Sequence, residues 1–315
     1  MKIVFVDNGD SIKYSKLLLA TGGEPRKLGV PGEDLGGVTT LRNITQANMI
    51  QKESVKKHVV IIGTSFIGME VAAALVDTAA SVTVIGRDPV PFLGSLGEEV
   101  GRFMLDMHRK KGVQFCLEED VKEFQGSNGA LENVILKSDR TLKADLAVVG
   151  VGVVPATGAF RDIPGIDTDK RGYIPVDSRM ATSVSSIFAA GDIVSFPLLT
   201  YGGERVTIGH WGLAMYLGRV AALNIMGKGR EAHTVPFFWT VQFGASLRYA
   251  GLGSGWDSVI FQQEEGKLLA MYCKGDTVCA VATMGRDPVA ATFANLVKAG
   301  GVVRKEEALE WAGNI

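Results

Sequence analysis

The stretch His58-Val59-Val60-Ile61-Ile62-Gly63-Thr64-Ser65-Phe66-Ile67-Gly68-Met69-Glu70, with Val82-Thr83-Val84-Ile85-Gly86-Arg87 after it, decides the fold. A continuous β-branched run such as Val59 to Ile62 marks a strand covered on both faces, because a strand with one wet face alternates apolar and polar residues. Gly63 ends the run, a helix is predicted over 66–79, and 82–85 supplies the next strand. Residues 58–86 therefore read as a βαβ unit of the length a dinucleotide fold uses. Gly63 permits the tight strand-to-helix turn and Gly68 the close packing of helix on strand. The helix N-terminus then offers N–H groups and a positive dipole end to a pyrophosphate. Ser65 stands where a middle glycine would let backbone approach phosphate. Its hydroxyl can donate to phosphate, and the turn can equally be structural only.

The residue at the end of the second strand normally holds the adenosine ribose. An acid there marks NAD, and a nearby arginine suits a 2′-phosphate. Here Gly86 and Arg87 occupy that place, so the spacing leans toward NADPH, with a solvated loop charge as the other reading of Arg87. Glu70 lies two residues past Gly68 in an apolar setting. It reads as one half of a helix-face ion pair or as a group near a nicotinamide, since an unpaired buried carboxylate is costly. A strand predicted over 144–154 ends on Gly150-Val151-Gly152, a second glycine-marked edge. Asp192, after Ala189-Ala190-Gly191, either accepts from the hydroxyls of a sugar alcohol or caps a helix. His210, Trp211 and Trp239 read as stacking groups for a ring or as core aromatics.

Outward from this unit, Ile3 to Val6 and Ser11 to Tyr14 flank Asn8-Gly9, a hairpin signal in which two positive φ angles would form a type I′ turn. Leu17 to Ala20 is a short strand ending at Thr21-Gly22-Gly23, and 25–37 is loop, with a domain junction near 40–55. Helices are predicted over 98–111 and 209–226, and a strand over 113–117. Past Gly229 the texture becomes aromatic and strand-like, with strands at 268–273 and 278–283 and a helix near 288–299, as in a separate α+β domain.

The 315 residues suggest two or three domains at about 150 each. A net charge of −1 supplies no bulk field for nucleic acid or an anionic membrane, and no stretch reads as a transmembrane span or an import signal. The frequent glycines favour an α/β nucleotide binder. Cys116, Cys273 and Cys279 are too few and too far apart for a disulfide framework or a zinc site, so no metal is expected.

Together, Tyr14-Ser15-Lys16-Leu17-Leu18-Leu19-Ala20-Thr21-Gly22, the Gly63 to Glu70 turn, Val149-Gly150-Val151-Gly152 with Pro155, and Ala189-Ala190-Gly191-Asp192 resemble the pyridine nucleotide-disulfide oxidoreductase superfamily. Within its ferredoxin-reductase-like branch the chain is most similar to the apoptosis-inducing factor family. Val153 to Gly158, Val235 to Thr240 and Ser246 to Gly251 look like its mitochondrion-associated type that carries a Rieske domain. The resemblance implies an α/β fold: a split FAD-binding domain, an inserted Rossmann-like NAD(P)H domain and a C-terminal α+β domain. The corresponding spans are 1–48 and 156–230 for FAD, 49–155 for NAD(P)H and 231–315 for the C-terminal domain. It implies that Asp192 contacts the ribitol of FAD and that Trp239 approaches its ring, with Thr21, Gly22, His210 and Trp211 as further cofactor-binding residues. Gly63, Ser65, Gly68, Arg87 and Gly152 would serve NAD(P)H, with Phe66 over the flavin-nicotinamide region and Glu70 facing a flavin-side lysine.

That lysine, and the family's first FAD-binding glycine turn, would precede Met1, so the chain is expected to be an N-terminally truncated form. It has no Cys and His pairs for a Rieske centre, and no close cysteine pair, which argues for an external electron acceptor. The expected activity is an FAD-dependent NAD(P)H oxidoreductase, linked by resemblance to apoptosis, to mitochondria and to a homodimer, with the cytoplasm as the other location. The alternative is a catalytically silent form that acts as a nucleotide-binding or protein-interaction module.

Overall fold

The computed structural model describes residues 2–160 and 163–314. The chain divides into two compact units. One comprises Pro25–Val153, Trp239–Thr292 and the segment from Val303 onward, and the other Glu24 and the residues before it, Val154–Phe238 and Phe293–Val302.

The first unit is built on a five-stranded parallel sheet. Its strands are β1 (Val38–Thr40), β2 (His58–Ile62), β3 (Ser81–Gly86) and β4 (Gln114–Leu117), and, after an antiparallel meander of β5 (Val121–Ser127), β6 (Ala130–Leu136) and β7 (Thr141–Lys143), β8 (Leu146–Val149). The sheet order is β1-β8-β2-β3-β4, with Ile62 beside both Ile85 and Val149. Val60, Ile62, Ile85 and Val149 pack with Phe124, Leu131, Val134 and Leu136 of the meander. The intervening, fully buried Ile61 and Val84 point to the other face, since strand side chains alternate.

Three helices belong to this unit: α1 (Ile44–Glu53), α2 (Phe66–Leu75) and α3 (Leu93–Lys110). Helix α1 stands where the sequence suggested only a junction. Asn43 and Gln46 form a reciprocal capping box at its start, which satisfies N–H groups that a helix end leaves unpaired. Helix α2 is shorter than predicted, because Val76 caps it and the chain turns at Thr78 toward β3. Helix α3 begins earlier than predicted: a first turn from Leu93 precedes a kink at Gly97, whose φ of 80° departs from helical geometry. The predicted strand over 144–154 is also broken, since β8 stops at Val149 and Gly152 takes a φ of 102°.

The remaining sheet of this unit is antiparallel and five-stranded, in the spatial order Phe237–Gln242, Ala245–Gly251, Thr277–Met284, Lys267–Lys274, Ser258–Glu264. Fully buried Tyr272 donates its hydroxyl to the Leu96 carbonyl at 2.7 Å, which seats this sheet against α3.

In the second unit, Leu17–Leu19 pairs parallel with Ile187–Ala189, and helix α4 (Trp211–Ile225) packs on the latter strand. The terminal hairpin pairs Ile3–Phe5 with Ser11–Lys13. Its turn is not type I′: Gly9 has a φ of 88°, while Asn8 is absent from the positive-φ residues. The Asn8 side chain instead accepts from the Asp10 N–H at 3.0 Å, a local bond that turns the five-residue loop without a left-handed asparagine.

Candidate functional site

Parallel α/β sheets bind ligands outside the carboxyl ends of their strands, where the strand order reverses. In the first unit that point lies between β2 and β8, and a cavity of about 380 Å³ opens there. Gly63, Thr64 and Ser65 line it, together with Gly86 to Asp88, Phe92 to Ser95, Glu119, Asp120 and Gly150 to Gly152.

Its floor is backbone. Gly63 has a φ of 118°, and a Cβ there would collide with the Gly150 carbonyl oxygen. A Cβ on Gly68 would strike the Gly63 carbonyl oxygen, so both glycines are demanded by close approach as well as by the turn. Ser65 is the N-cap of α2, exposed, with extended backbone and no side-chain bond to the helix. Its hydroxyl is thus not spent on capping, at a helix end whose first N–H groups lack intrahelical partners. The loop after β3 is fastened to this turn: Phe92, held at a φ of 60°, donates its N–H to the Thr64 carbonyl at 2.9 Å. The Phe66 and Phe92 rings lie 5.0 Å apart.

The glycine at position 86 has a steric cause. A Cβ there would collide with the Thr64 side chain, which is buried and β-branched and so has little freedom to move. Arg87 is exposed, as the solvated-charge reading allowed, and it also has a partner. Its guanidinium lies 3.0 Å from Asp120 Oδ2, which also accepts from Lys137 Nζ at 2.8 Å. Burial opposes ionisation of Asp120, but the hydrogen bonds from Lys137 and Arg87 outweigh it and hold the carboxyl below its ordinary range.

Glu70 is exposed on α2, and its partner is a hydroxyl rather than the cation of a helix-face ion pair. Buried Thr240 donates to Glu70 Oε1 at 2.6 Å, and Gln242 Nε2 donates in turn to Thr240 Oγ1 at 3.1 Å. Trp239, next to Thr240, leaves 58 % of its surface exposed, which excludes the core-aromatic reading.

The second unit gathers the other candidates at the carboxyl ends of its parallel strand pair. Thr21 follows Leu17–Leu19 and donates to the Ala156 carbonyl at 2.6 Å, and Gly22 has a φ of 73°. Asp192 follows Ile187–Ala189 in a turn that leads into a strand, so it is not the helix cap that its sequence allowed. That cap role belongs to His210, whose Nδ1 accepts from Leu213 N–H at the start of α4. Burial lowers the His210 pKa while the neighbouring Asp192 charge raises it, and burial prevails. Trp211 is 79 % exposed. The three thiols are unsuited to thiolate chemistry, since burial raises each of their pKa values, that of Cys279 to about 11.

Sequence reasoning missed Thr64, Phe92, Glu119 and Asp120. The usable signal was the acidic run Glu118-Glu119-Asp120 after the third strand of the βαβ series, because successive strand ends of a parallel sheet border one crevice.

A parallel sheet with a glycine-built helix start at its reversal point, beside an antiparallel C-terminal sheet, defines a dinucleotide-binding reductase architecture. Residues 2–218 match the model of the pyridine nucleotide-disulphide oxidoreductase family and residues 237–312 that of the reductase C-terminal domain. The chain belongs to this family, whose members use FAD and NAD(P)H. It is 45 % identical to apoptosis-inducing factor 3 of Homo sapiens over 97 % of its own length and 51 % of that protein. It thus spans about half the length of that relative and of its Mus musculus counterpart. It is 33 % identical to the ferredoxin–NAD(+) reductase component of the anthranilate 1,2-dioxygenase system of Burkholderia cepacia, covering 95 % of this chain and 73 % of that one. Among solved structures, the ferredoxin reductase for the CYP199A2 system of Rhodopseudomonas palustris superposes with a TM-score of 0.90 at 27 % identity, over 98 % of this chain and 78 % of that one. Among the described residues, no helix is long and apolar enough to cross a membrane.

Proposed function

We propose that this chain carries the NAD(P)H-to-flavin part of an oxidoreductase that delivers electrons to an external, ferredoxin-type acceptor. The observation that carries this reading is the cavity at the sheet reversal, with Gly63, Gly68 and Gly150 stripped of side chains around a helix N-terminus. The chemistry supplied by the bound cofactors is hydride transfer from NAD(P)H to FAD and onward delivery of the two electrons.

In this reading the α2 N-terminus and the Ser65 hydroxyl hold the pyrophosphate of NAD(P)H, while Gly63, Gly68 and Gly152 let backbone come close. Asp192 accepts from the ribitol hydroxyls of FAD. Thr21 and Gly22 shape the neighbouring strand end, where His210 and Trp211 serve the flavin ring, and Trp239 is a candidate cofactor contact of the first unit. Glu70, kept in place by Thr240, and Phe66 serve the reacting end of the nucleotide. The poor acidity of the thiols fits an external acceptor better than a thiol pair. The named reductase relatives support a ferredoxin-type partner and the apoptosis-inducing factor relatives an apoptotic role, while the mitochondrial setting rests on the family resemblance alone. The domain division drawn from the sequence is carried forward as a proposal, with FAD at 1–48 and 156–230, NAD(P)H at 49–155 and the C-terminal domain at 231–315, except that Val38–Thr40 pairs into the five-stranded sheet and so belongs with the NAD(P)H span.

The test is the visible spectrum of the purified chain with added FAD, followed by anaerobic titration with NADH and NADPH. The expected result is a bound flavin that bleaches. A colourless chain that still melts cooperatively would overturn the reductase reading in favour of a nucleotide-binding or protein-interaction module.

A further inference from the structure

We propose that Asp120, with Glu119 beside it, sets the coenzyme choice of this site by holding Arg87 away from a 2′-phosphate, so that NADH is taken in preference to NADPH. The inference rests on the nucleotide reading of the cavity and deepens it.

In a doubly wound sheet the adenosine ribose lies at the end of the second strand of the βαβ unit, here Gly86-Arg87. The chain brings a second set of charges to that end. Glu119 N–H donates to the Gly86 carbonyl at 3.0 Å and Glu118 N–H to the Asp88 carbonyl at 3.4 Å, which lays residues 118–120 along 86–88. The Asp120 side chain is only 16 % exposed and fully engaged. Oδ1 accepts from the Val121 N–H at 2.9 Å, and Oδ2 meets both Lys137 and Arg87.

Arg87 therefore arrives at the cavity already paired. The charged residues lining the cavity are Arg87 against Asp88, Glu119 and Asp120, and counting Lys137 still leaves two cations against three carboxylates. A phosphate monoester carries about −1.5 to −2 at neutral pH. It would meet this surplus of negative charge and would have to draw Arg87 off a largely covered carboxylate. A ribose 2′-hydroxyl needs only an acceptor, which the Glu119 carboxylate supplies from the same wall of the cavity. The collision of any side chain at position 86 with Thr64 explains why that acceptor comes from the loop after β4 and not from the end of β3. The lean toward NADPH that Arg87 suggests in the sequence is reversed by a partner that only the fold brings near.

The test is calorimetric titration of the purified chain with ADP-ribose and with 2′-phospho-ADP-ribose, adenosine-end probes whose binding needs no flavin. Wild type is expected to bind ADP-ribose at least about tenfold more tightly. In Asp120→Asn the ratio is expected to shift by about tenfold toward the 2′-phosphorylated probe, and in Glu119→Gln by less. Equal or tighter binding of the 2′-phosphorylated probe by wild type would overturn the proposal and leave the nucleotide site standing. Failure of both probes to bind would overturn the nucleotide reading and the proposal with it. An unchanged ratio in a folded Asp120→Asn would overturn the clamp, and should that variant not fold, the ratio in Glu119→Gln decides in the same way.

Discussion

Both units carry candidate residues at the carboxyl ends of parallel strands, but they build these places from different material. At Gly63 and Gly68 the wall is main chain, with carbonyl oxygens so close that a single added carbon has no room. At Leu17–Leu19 and Ile187–Ala189 the equivalent place is furnished with side chains: Thr21 bonded to Ala156, Asp192, and His210 capping α4. A backbone wall offers N–H groups and a helix dipole to a diphosphate, whatever else the ligand carries. A side-chain wall selects by the position of individual acceptors and can be altered one residue at a time.

This difference predicts opposite tolerance to substitution, and the largest effect falls on the backbone wall. Gly63→Ala asks for a left-handed residue and places a methyl group into the Gly150 carbonyl. Strain and overpacking together are expected to cost about 3 kcal/mol or more. The check is a urea unfolding curve alongside ADP-ribose binding, and a variant of native stability that binds normally would break the account of a main-chain cradle.

How much of this was legible in the sequence follows the same division. The β2-α2-β3 unit was legible because an apolar run, a glycine turn and a second apolar run are contiguous, and contiguous patterns need no knowledge of what lies across the sheet. Helix α1 carried a readable signal, Asn43 with Gln46 three places on, that apolar periodicity did not support, since only Ile50 is buried in it. The meander β5-β6-β7 was hidden because its core residues, Val121, Phe124, Leu131 and Val134, are spread among exposed polar ones and find their partners on the sheet. Within the site, Gly63, Gly68 and Gly152 were assigned from local turn chemistry. Asp120 could not be, because its bond to Arg87 joins the ends of two different strands.

Each region also fixes a helix with a histidine, and these two side chains sharpen the comparison. His108 is completely buried in α3, with Nδ1 2.8 Å from the Met104 carbonyl and Nε2 3.3 Å from the Met69 carbonyl of α2, the helix that starts at the glycine turn. Burial lowers its pKa more than the two carbonyls raise it. His210 is only half-buried and has Asp192 to offset the same effect. A histidine whose folded pKa is depressed contributes stability that is present above the unfolded value, about 6.5, and lost as pH falls through the folded one. Between about pH 7.5 and 5.5, wild type is therefore expected to lose stability with a contribution from His108 of at most about 1.4 kcal/mol per pH unit. His108→Gln should flatten that slope and His210→Gln should change it less. Denaturant midpoints across this range are the measurement, and equal slopes in wild type and His108→Gln would remove the buried histidine from the account.

The smallest effect expected on stability separates the cradle from the Ser65 side chain. Ser65 places an exposed side chain in a turn whose wall is largely backbone, and it caps α2 with its main chain alone. Replacing a capping serine by glycine costs only a few tenths of a kcal/mol, and here there is no cap bond to lose, so Ser65→Gly should melt within about 1 °C of wild type. Binding should respond where stability does not. A hydroxyl that donates to a charged pyrophosphate is worth about 1.5–3 kcal/mol, which predicts an ADP-ribose complex weaker by about ten- to 150-fold. Tighter binding would mean that the hydroxyl obstructs the approach of backbone to phosphate, and the cradle would then be main chain throughout. Weaker binding at unchanged melting temperature would show that the nucleotide site has adopted, at this one position, the side-chain strategy of the other unit.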